Sequence, residues 1–109
     1  MDHQFSFEKL EVWQDARLFV KDIYLLTNQF PATEKFGLSS QIQRVAVSVV
    51  SNTAEGTSRL SDKEKLRFIE IAYSSLMEIY CQLIVSMDLA CINSKQLDDS
   101  KLTVFKNIK

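Results

Sequence analysis

A polar stripe along one predicted helix constrains this chain more than any other feature of its sequence. Residues 41–56 read QIQRVAVSVVSNTAEG. At about 100° per residue of α-helix, five polar side chains lie within an arc of roughly 80°, whereas the apolar side chains cover roughly 200°. A helix that faces a single core needs a narrower apolar face. The pattern therefore predicts a helix enclosed by its own bundle on one side and by another subunit on the other. The five polar residues are Gln41, Arg44, Ser48, Asn52 and Glu55.

The composition favours helices over strands. The 109 residues include only two glycines and one proline, which is far fewer than a domain of many tight β-turns would use. The chain has the length of one domain. Its 46% of hydrophobic and 25% of charged residues are typical of a globular core that needs no disulfide or metal. We therefore expect a single all-α domain over residues 1–109.

Apolar periodicity and local stop signals predict four helices. The first ends near Pro31, because the residue before a proline disfavours helical backbone. Ser39 or Ser40 is expected to cap the second helix, and Gly56 to end it in a left-handed conformation unless residues 57–60 extend it. Residues 61–64, Ser-Asp-Lys-Glu, have the sequence of a capping box at the start of the third helix. Short connections between four helices favour an antiparallel, up-down-up-down bundle. The predicted helical ranges are about 8–30, 39–58, 62–91 and 94–107.

Two residues of the third predicted helix, Ser75 and Glu78, extend the polar stripe. Arg44 offers five hydrogen-bond donors, and Glu55, Glu70 and Glu78 are the available carboxylates. A buried charge without a partner is costly, so we expect Arg44 to pair with one of these carboxylates. We interpret the set as packing or interface residues, with a catalytic or ligand site as the alternative. We call it the polar seam, and its members are Gln41, Arg44, Ser48, Asn52, Glu55, Ser75 and Glu78.

The sequence contains no pattern typical of an enzyme, a cofactor site or a metal site. His3 is the one histidine and lies near the N-terminus; we find neither a nucleophile beside a base nor a Gly-rich phosphate loop. Cys81 and Cys91 would lie about 80° apart around a helix, so neither a bridge within one helix nor a metal pair is expected. A di-metal bundle needs Glu-x-x-His motifs, which this chain lacks. We expect no enzyme activity, cofactor, metal or small-molecule substrate.

Two clusters of basic residues support an alternative function. The formal net charge is −1, so no global field attracts nucleic acid or acidic membranes. In a closed ring, however, each cluster is repeated on one rim, and weak phosphate contacts add together. Binding of RNA or of a nucleic-acid-associated protein is therefore the alternative to an ordinary solvated surface. The first cluster contains Arg59, Lys63, Lys65 and Arg67, and the second contains Lys101, Lys106 and Lys109.

The N-terminal segment MDHQFSFEKL lacks the basic start and apolar run of a secretory signal. No window is expected to reach the roughly 20 apolar residues of a membrane span. These observations predict a cytoplasmic protein without a membrane partner.

Several motifs between residues 5 and 92 occur together. They are FEKLEVW at residues 7–13, Phe30-Pro31 with Glu34, Gly37-Leu38, the second-helix residues Gln41, Arg44, Ser48, Asn52, Ala54, Glu55 and Gly56, and the third-helix residues Phe68, Ala72, Ser75 and Glu78. Together they resemble the four-helix bundle proteins first noticed in intervening sequences of bacterial 23S ribosomal RNA genes, sometimes described as ribosomal proteins. The resemblance implies a bundle that assembles into a pentameric ring and has no enzyme activity.

A related branch of the family serves diversity-generating retroelements, in which a basic pentamer is thought to bind nucleic acid and a reverse transcriptase. This chain departs from that branch because its charge is near neutral. Ser74 stands where many relatives have glycine, and the fourth helix is short for the family. We therefore predict a homopentameric scaffold of unknown cellular role, with an RNA-binding or other nucleic-acid-binding accessory protein as the alternative.

Overall fold

The computed structural model describes residues 6–108, with side chains from Phe7 onward. Within this range the chain forms four α-helices and no strand. Each helix packs against the next one along the chain, and α4 closes the bundle by contacting α1. The prediction of an all-α, four-helix bundle is confirmed, whereas the pentameric ring concerns assembly and stays a prediction. The helices are α1 (Glu11–Thr27), α2 (Leu38–Ser58), α3 (Asp62–Asp88) and α4 (Ser94–Lys106), and 3₁₀ turns occupy Ser6–Lys9 and Ala32–Glu34.

The hydrophobic core is formed mainly by α1, α2 and α3. Large apolar side chains of these helices are 0–2% exposed, whereas α4 contributes one fully buried residue, Val104. Complete burial of a side chain of this size contributes about 1.5–3 kcal/mol before the loss of conformational entropy is counted. Of the four helices, α4 therefore buries the least apolar side-chain surface in the core. The most deeply buried side chains are Phe19 and Ile23 of α1, Ile42 and Val49 of α2, and Leu76, Ile79 and Leu83 of α3.

The start of α2 differs from the prediction. The helix begins at Leu38, whose N–H donates to Glu34 Oε1 at 3.3 Å. Ser39 is buried instead, and its hydroxyl donates to the carbonyl oxygen of Thr27 at 3.5 Å. The prediction that Ser39 or Ser40 caps the helix was wrong, because the helix begins before both serines and the Glu34 carboxylate of the preceding 3₁₀ turn accepts from the first free N–H group.

Gly56 lies inside α2 and does not end it. The helix continues to Ser58, and no glycine has a positive φ among the described residues. A Cβ atom at position 56 would lie 3.0 Å from the Cβ atom of Phe68 on α3. The predicted left-handed cap was therefore wrong. Gly56 allows α2 and α3 to approach closely, and residues 57–58 extend the helix, as the alternative prediction stated.

The two ends of α3 have different capping arrangements. At its start, the Ser61 hydroxyl accepts a hydrogen bond from the Glu64 N–H at 3.2 Å, as expected. At its end, Ala90 adopts a left-handed backbone with φ of 61°. The N–H of Cys91 donates to Ser86 O at 2.8 Å, which is the six-to-one bond of a Schellman motif. The helix therefore ends at Asp88, three residues before the predicted boundary.

The apolar character of α3 is greater than the sequence prediction allowed. This helix of 27 residues is long and apolar enough to cross a membrane by length and composition, with a mean hydropathy of 1.3 over its most apolar window. The expectation that no window reaches this level was wrong. Such a helix is weak evidence for a membrane, because core helices of soluble proteins share the property. Only 22% of the window is buried in the bundle, so α3 leaves apolar surface exposed.

Candidate interaction surfaces

The centre of the polar seam connects α2 to α3. The hydroxyl oxygens of Ser48 and Ser75 lie 3.2 Å apart. Asn52 Nδ2 donates to Ser48 Oγ at 3.0 Å and to the Ser48 carbonyl oxygen at 2.8 Å. Ser75 is only 9% exposed, so its hydroxyl needs this partner. Three of the seven seam residues thus form one hydrogen-bond network.

The charged ends of the seam are exposed in the single chain. Glu55 accepts a 2.8 Å hydrogen bond from Arg59, one helical turn further on, and their side chains are 52% and 40% exposed. Arg44 forms no salt bridge with any residue of the described range. Eleven residues, or about 16 Å of helix axis, separate Arg44 from Glu55. The expected pairing of Arg44 with a carboxylate of its own chain was therefore wrong.

The other two seam residues also face solvent. Gln41 is exposed, and Glu78 is exposed and accepts a 3.4 Å hydrogen bond from Gln82. The seam therefore consists of a partly buried network in the middle and polar or charged groups at both ends. Its role in contacts between subunits stays a prediction.

Apolar side chains remain exposed on the outer faces of the bundle. On α1, Leu18 and Leu25 are 56% and 57% exposed and lie seven residues apart, which places them on one face. On α2, Val47 is 40% exposed at the edge of the apolar arc. Scattered exposed leucines are normal, but contiguous apolar patches mark interaction sites. The surface of α3 is the strongest candidate, because this helix exposes more large apolar side chains than any other helix of the described range. They are Leu66, Ile69, Ile71, Tyr73, Ile84 and Val85.

A large apolar groove, which we call the open groove, lies near the turn between α2 and α3. Its volume is about 990 Å³. Val49 and Gly56 of α2, Val12 and Ala16 of α1, and Ile69 and Leu76 of α3 are among the lining residues. Ile108 lines the same groove just beyond the end of α4. The groove therefore exists where α4 has ended while α1, α2 and α3 continue.

The first basic cluster is only partly free to bind another molecule. The guanidinium of Arg59 lies 4.8 Å from the centre of the Phe68 ring, in addition to its bond with Glu55. Lys63, Lys65 and Arg67 form no salt bridge with a residue of the described range. Lys65 also lines the open groove. Of the four cations, these three are therefore the ones left for an external anion.

The second basic cluster is more constrained. Lys106 Nζ lies 3.8 Å from Asp15 Oδ1, and Lys101 Nζ lies within 6 Å of the ring centres of Tyr80 and Phe105. Lys109 lies outside the described residues, as does His3. Lys65 and Ile108 line one groove, so the chain just beyond α4 lies near the start of α3. The sequence did not predict this proximity.

The two cysteines are free thiols in different surroundings. Cys81 is exposed and Cys91 is half-buried. Burial, and secondarily the Glu34 carboxylate, raise the pKa of the Cys91 thiol above its usual range. A raised pKa disfavours the thiolate, which is the nucleophile and metal ligand. Over residues 6–108, no three His, Cys, Asp or Glu residues form a group that could hold a metal ion.

Comparison with known proteins gives one result that covers most of the chain. The family model described as "23S rRNA-intervening sequence protein" matches residues 8–108. A search of curated proteins finds no match. The relation to accessory proteins of diversity-generating retroelements is not tested by the family match and stays a prediction.

Proposed function

Because the chain belongs to the 23S rRNA-intervening sequence protein family, we propose that it is a non-enzymatic helical bundle that self-associates, as a ring-shaped homopentamer, into a scaffold in the cytoplasm. The observation that carries the proposal is the apolar surface that the single chain leaves exposed. Val47 of α2 is 40% exposed, and 22% of the most apolar window of α3 is buried. Burial of such surface between subunits is favourable in proportion to its area.

A ring needs two different surfaces on each subunit, because a head-to-tail interface joins one face to another around the ring. The α2 helix offers such a pair. Its polar seam lies at the α2–α3 edge, where Ser48 contacts Ser75, and Val47 lies on the exposed part of its apolar arc. The charged ends of the seam can set the register of a neighbouring subunit, since exposed charges contribute more to specificity than to affinity.

The test is a substitution that places a charge on the exposed part of α2. In Val47→Asp, association would bury an unpaired carboxylate, so we expect the native mass to fall toward that of one chain. Leu60→Asp is the matched control, because Leu60 is 99% exposed in the turn after α2 and contacts little in the bundle. Circular dichroism should report the same helix content for both variants. An unchanged oligomer in Val47→Asp contradicts this interface.

RNA binding at the end of the bundle is the second candidate function. The observation that favours it is that Lys63 and Arg67 are exposed and form no salt bridge within the described residues. In a ring these cations would be repeated on one rim, so individually weak phosphate contacts would add.

A salt titration against single-stranded RNA tests this candidate. Binding should weaken steeply as salt rises and should be lost in Lys63→Glu and Arg67→Glu, because phosphate contacts release counterions. Lys21→Glu, on the exposed face of α1, is the control of equal charge change. Absence of binding at low salt, or an equal loss in Lys21→Glu, would reject the two rim residues as the site.

A further inference from the structure

The chain after α3 contributes little to the hydrophobic core. Its two buried side chains, among the described residues, are Ile92 of the linker and Val104 of α4, at 6% and 2% exposure. The other members of the core cluster lie between residues 16 and 83. The helix α4 packs against α1 and α3 and makes no close backbone contact with α2 within the described range. Detachment of α4 therefore leaves most of the core intact.

The linker between α3 and α4 contains a strained residue. Ala90 has a φ of 61°, a left-handed backbone that is unfavourable for a residue with a Cβ atom. The linker, residues 89–93, reads LACIN and offers no glycine that would adopt this backbone freely. Movement of α4 lets Ala90 return to an ordinary backbone region. The strain at Ala90 therefore favours the detached position of α4.

The start of α4 is stabilised by residues that follow this linker alanine. Asn93 Oδ1 accepts from the Gln96 N–H at 2.8 Å, and Gln96 Oε1 accepts from the Asn93 N–H at 2.9 Å. Both bonds of this capping box lie after Ala90 in the chain, so they stay formed while α4 moves. The strained residue therefore lies between two locally capped helices, where a pivot would be.

The far end of α4 is held by a charge. Lys106 is the last residue of α4, and its Nζ lies 3.8 Å from Asp15 Oδ1 of α1. The lysine side chain is 64% exposed, and ion pairs of this kind contribute little to stability. The helix α4 thus has a strained pivot at one end, few buried side chains along its length and a weak ionic latch at the other end.

We infer that α4 is a hinged strap: residues 91–106 swing away from the bundle about Ala90 as one unit, while the core of α1, α2 and α3 stays folded. The inference does not rest on self-association. It concerns the packing of helices within one chain, where the contacts of α4 are the weakest.

The movement extends the open groove. Ile108 and Tyr73 line the groove together, so α4 in its closed position leaves about the first three turns of α3 uncovered. When α4 swings out, a stripe on one face of α1 is uncovered as well, which adds about two helical turns of apolar surface. The stripe consists of Val12 and Ala16, which line the groove, and Phe19 and Ile23, which are 1% and 2% exposed and line the crevice between α1 and α4.

Hydrogen exchange of the full chain, followed by NMR, measures this opening for individual amides. An isolated helix of 13 residues is marginal in water, so the detached α4 loses its backbone hydrogen bonds and its amides exchange. Relative to their unstructured rates, amides 97–106 should exchange about tenfold or more faster than the most protected amides of α1–α3. Their rates should depend weakly on urea, because the opening exposes little surface. Equal protection and equally steep urea dependence in α4 and the core would overturn the strap.

Two matched variants separate the strap from global unfolding. Val104 and Val49 are both 2% exposed, and Val49 belongs to the core that stays folded in the open form. Val104→Ala should speed exchange in α4 about tenfold. Val49→Ala should speed exchange in the core and leave α4 unchanged. Circular dichroism verifies that both variants fold. An equal acceleration of α4 and the core in Val49→Ala would show that α4 opens only with the whole bundle and would overturn the inference.

Further variants test the pivot and the latch. Ala90→Gly should slow exchange in α4 about fivefold or more, because glycine adopts the closed backbone without strain. Lys106→Gln should speed it up to about fivefold. Lys95→Gln is the control, since Lys95 is exposed at the start of α4 and forms no salt bridge with a described residue. Unchanged exchange in Ala90→Gly would refute the pivot, and equal effects of the two lysine variants would refute the latch.

Discussion

Replacement of Arg44 by alanine should affect association far more than folding. In the single chain the Arg44 side chain is exposed and forms no salt bridge with a described residue. Its removal should therefore change the free energy of unfolding of the subunit by less than about 0.5 kcal/mol. If subunits meet at the polar seam, truncation leaves a charge of the neighbouring subunit without its partner, which costs about 2–5 kcal/mol. That is about a 30-fold or larger rise in the dissociation constant.

The assay separates the two quantities. Sedimentation equilibrium over a dilution series gives the dissociation constant for wild type and Arg44→Ala. Urea unfolding at low protein concentration gives subunit stability, because the stability of an oligomer depends on concentration. Lys21→Ala, which removes an exposed cation from α1, is the control for a simple change of charge. Identical association of wild type and Arg44→Ala would refute the interface role, and a loss of several kcal/mol in the subunit itself would refute the exposed position of Arg44.

Three further predictions concern packing, backbone and thiol chemistry. Gly56→Ala should destabilise the bundle by about 1 kcal/mol in urea unfolding, because the new Cβ would lie 3.0 Å from Phe68 Cβ and overpacking outweighs the gain in helix propensity; a more stable variant would contradict this. Ala90→Gly should stabilise it by about 0.5–1 kcal/mol, since φ is 61° there and glycine adopts this backbone without strain; a lower midpoint would count against the Schellman ending of α3. Single-cysteine variants should react with Ellman's reagent faster at Cys81 than at Cys91, and the Cys91 rate should keep rising to higher pH because its pKa is raised; equal rates would contradict the difference in burial.

The helices were predictable because apolar residues recur with a period near 3.6. This period identifies which residues share a face, and it located both ends of α2 and the starts of α3 and α4 within one residue, whereas both ends of α1 and the end of α3 were misplaced by three residues. The period says less about a short helix with few apolar residues. The fourth helix was predicted from Leu97, Leu102, Phe105 and Ile108, yet Val104 is its fully buried residue, while Leu102 and Phe105 are 70% and 54% exposed.

The pairing of charged residues could not be read from helical angles alone. A shared face places Arg44 and Glu55 at similar angles around α2, but their axial separation of about 16 Å prevents contact. Glu55 instead finds Arg59, which lies at the usual spacing of four residues. The rise per residue of an α-helix already excludes this pair, and Arg44 forms no salt bridge with any residue of the described range.

The open groove depends on how long α4 is relative to α3. The apolar pattern of the sequence predicted these two lengths only approximately. Residue positions alone did not show that α4 would leave the first three turns of α3 uncovered. Nor did they show that Lys65 and Ile108, forty-three residues apart in the chain, would line one surface. The position of α4 follows from its packing against α1 and α3, and the apolar period of a single helix does not contain that information.

Self-association is the central claim, and the native mass of the purified protein tests it most directly. One chain has a mass of 12.5 kDa, so light scattering during size-exclusion chromatography should report five times this value, 62.5 kDa, for the pentamer. The ultraviolet absorbance ratio of the same peak reports whether RNA accompanies the protein. A peak at 62.5 kDa supports the account, whereas a mass of 12.5 kDa that persists at high protein concentration contradicts it.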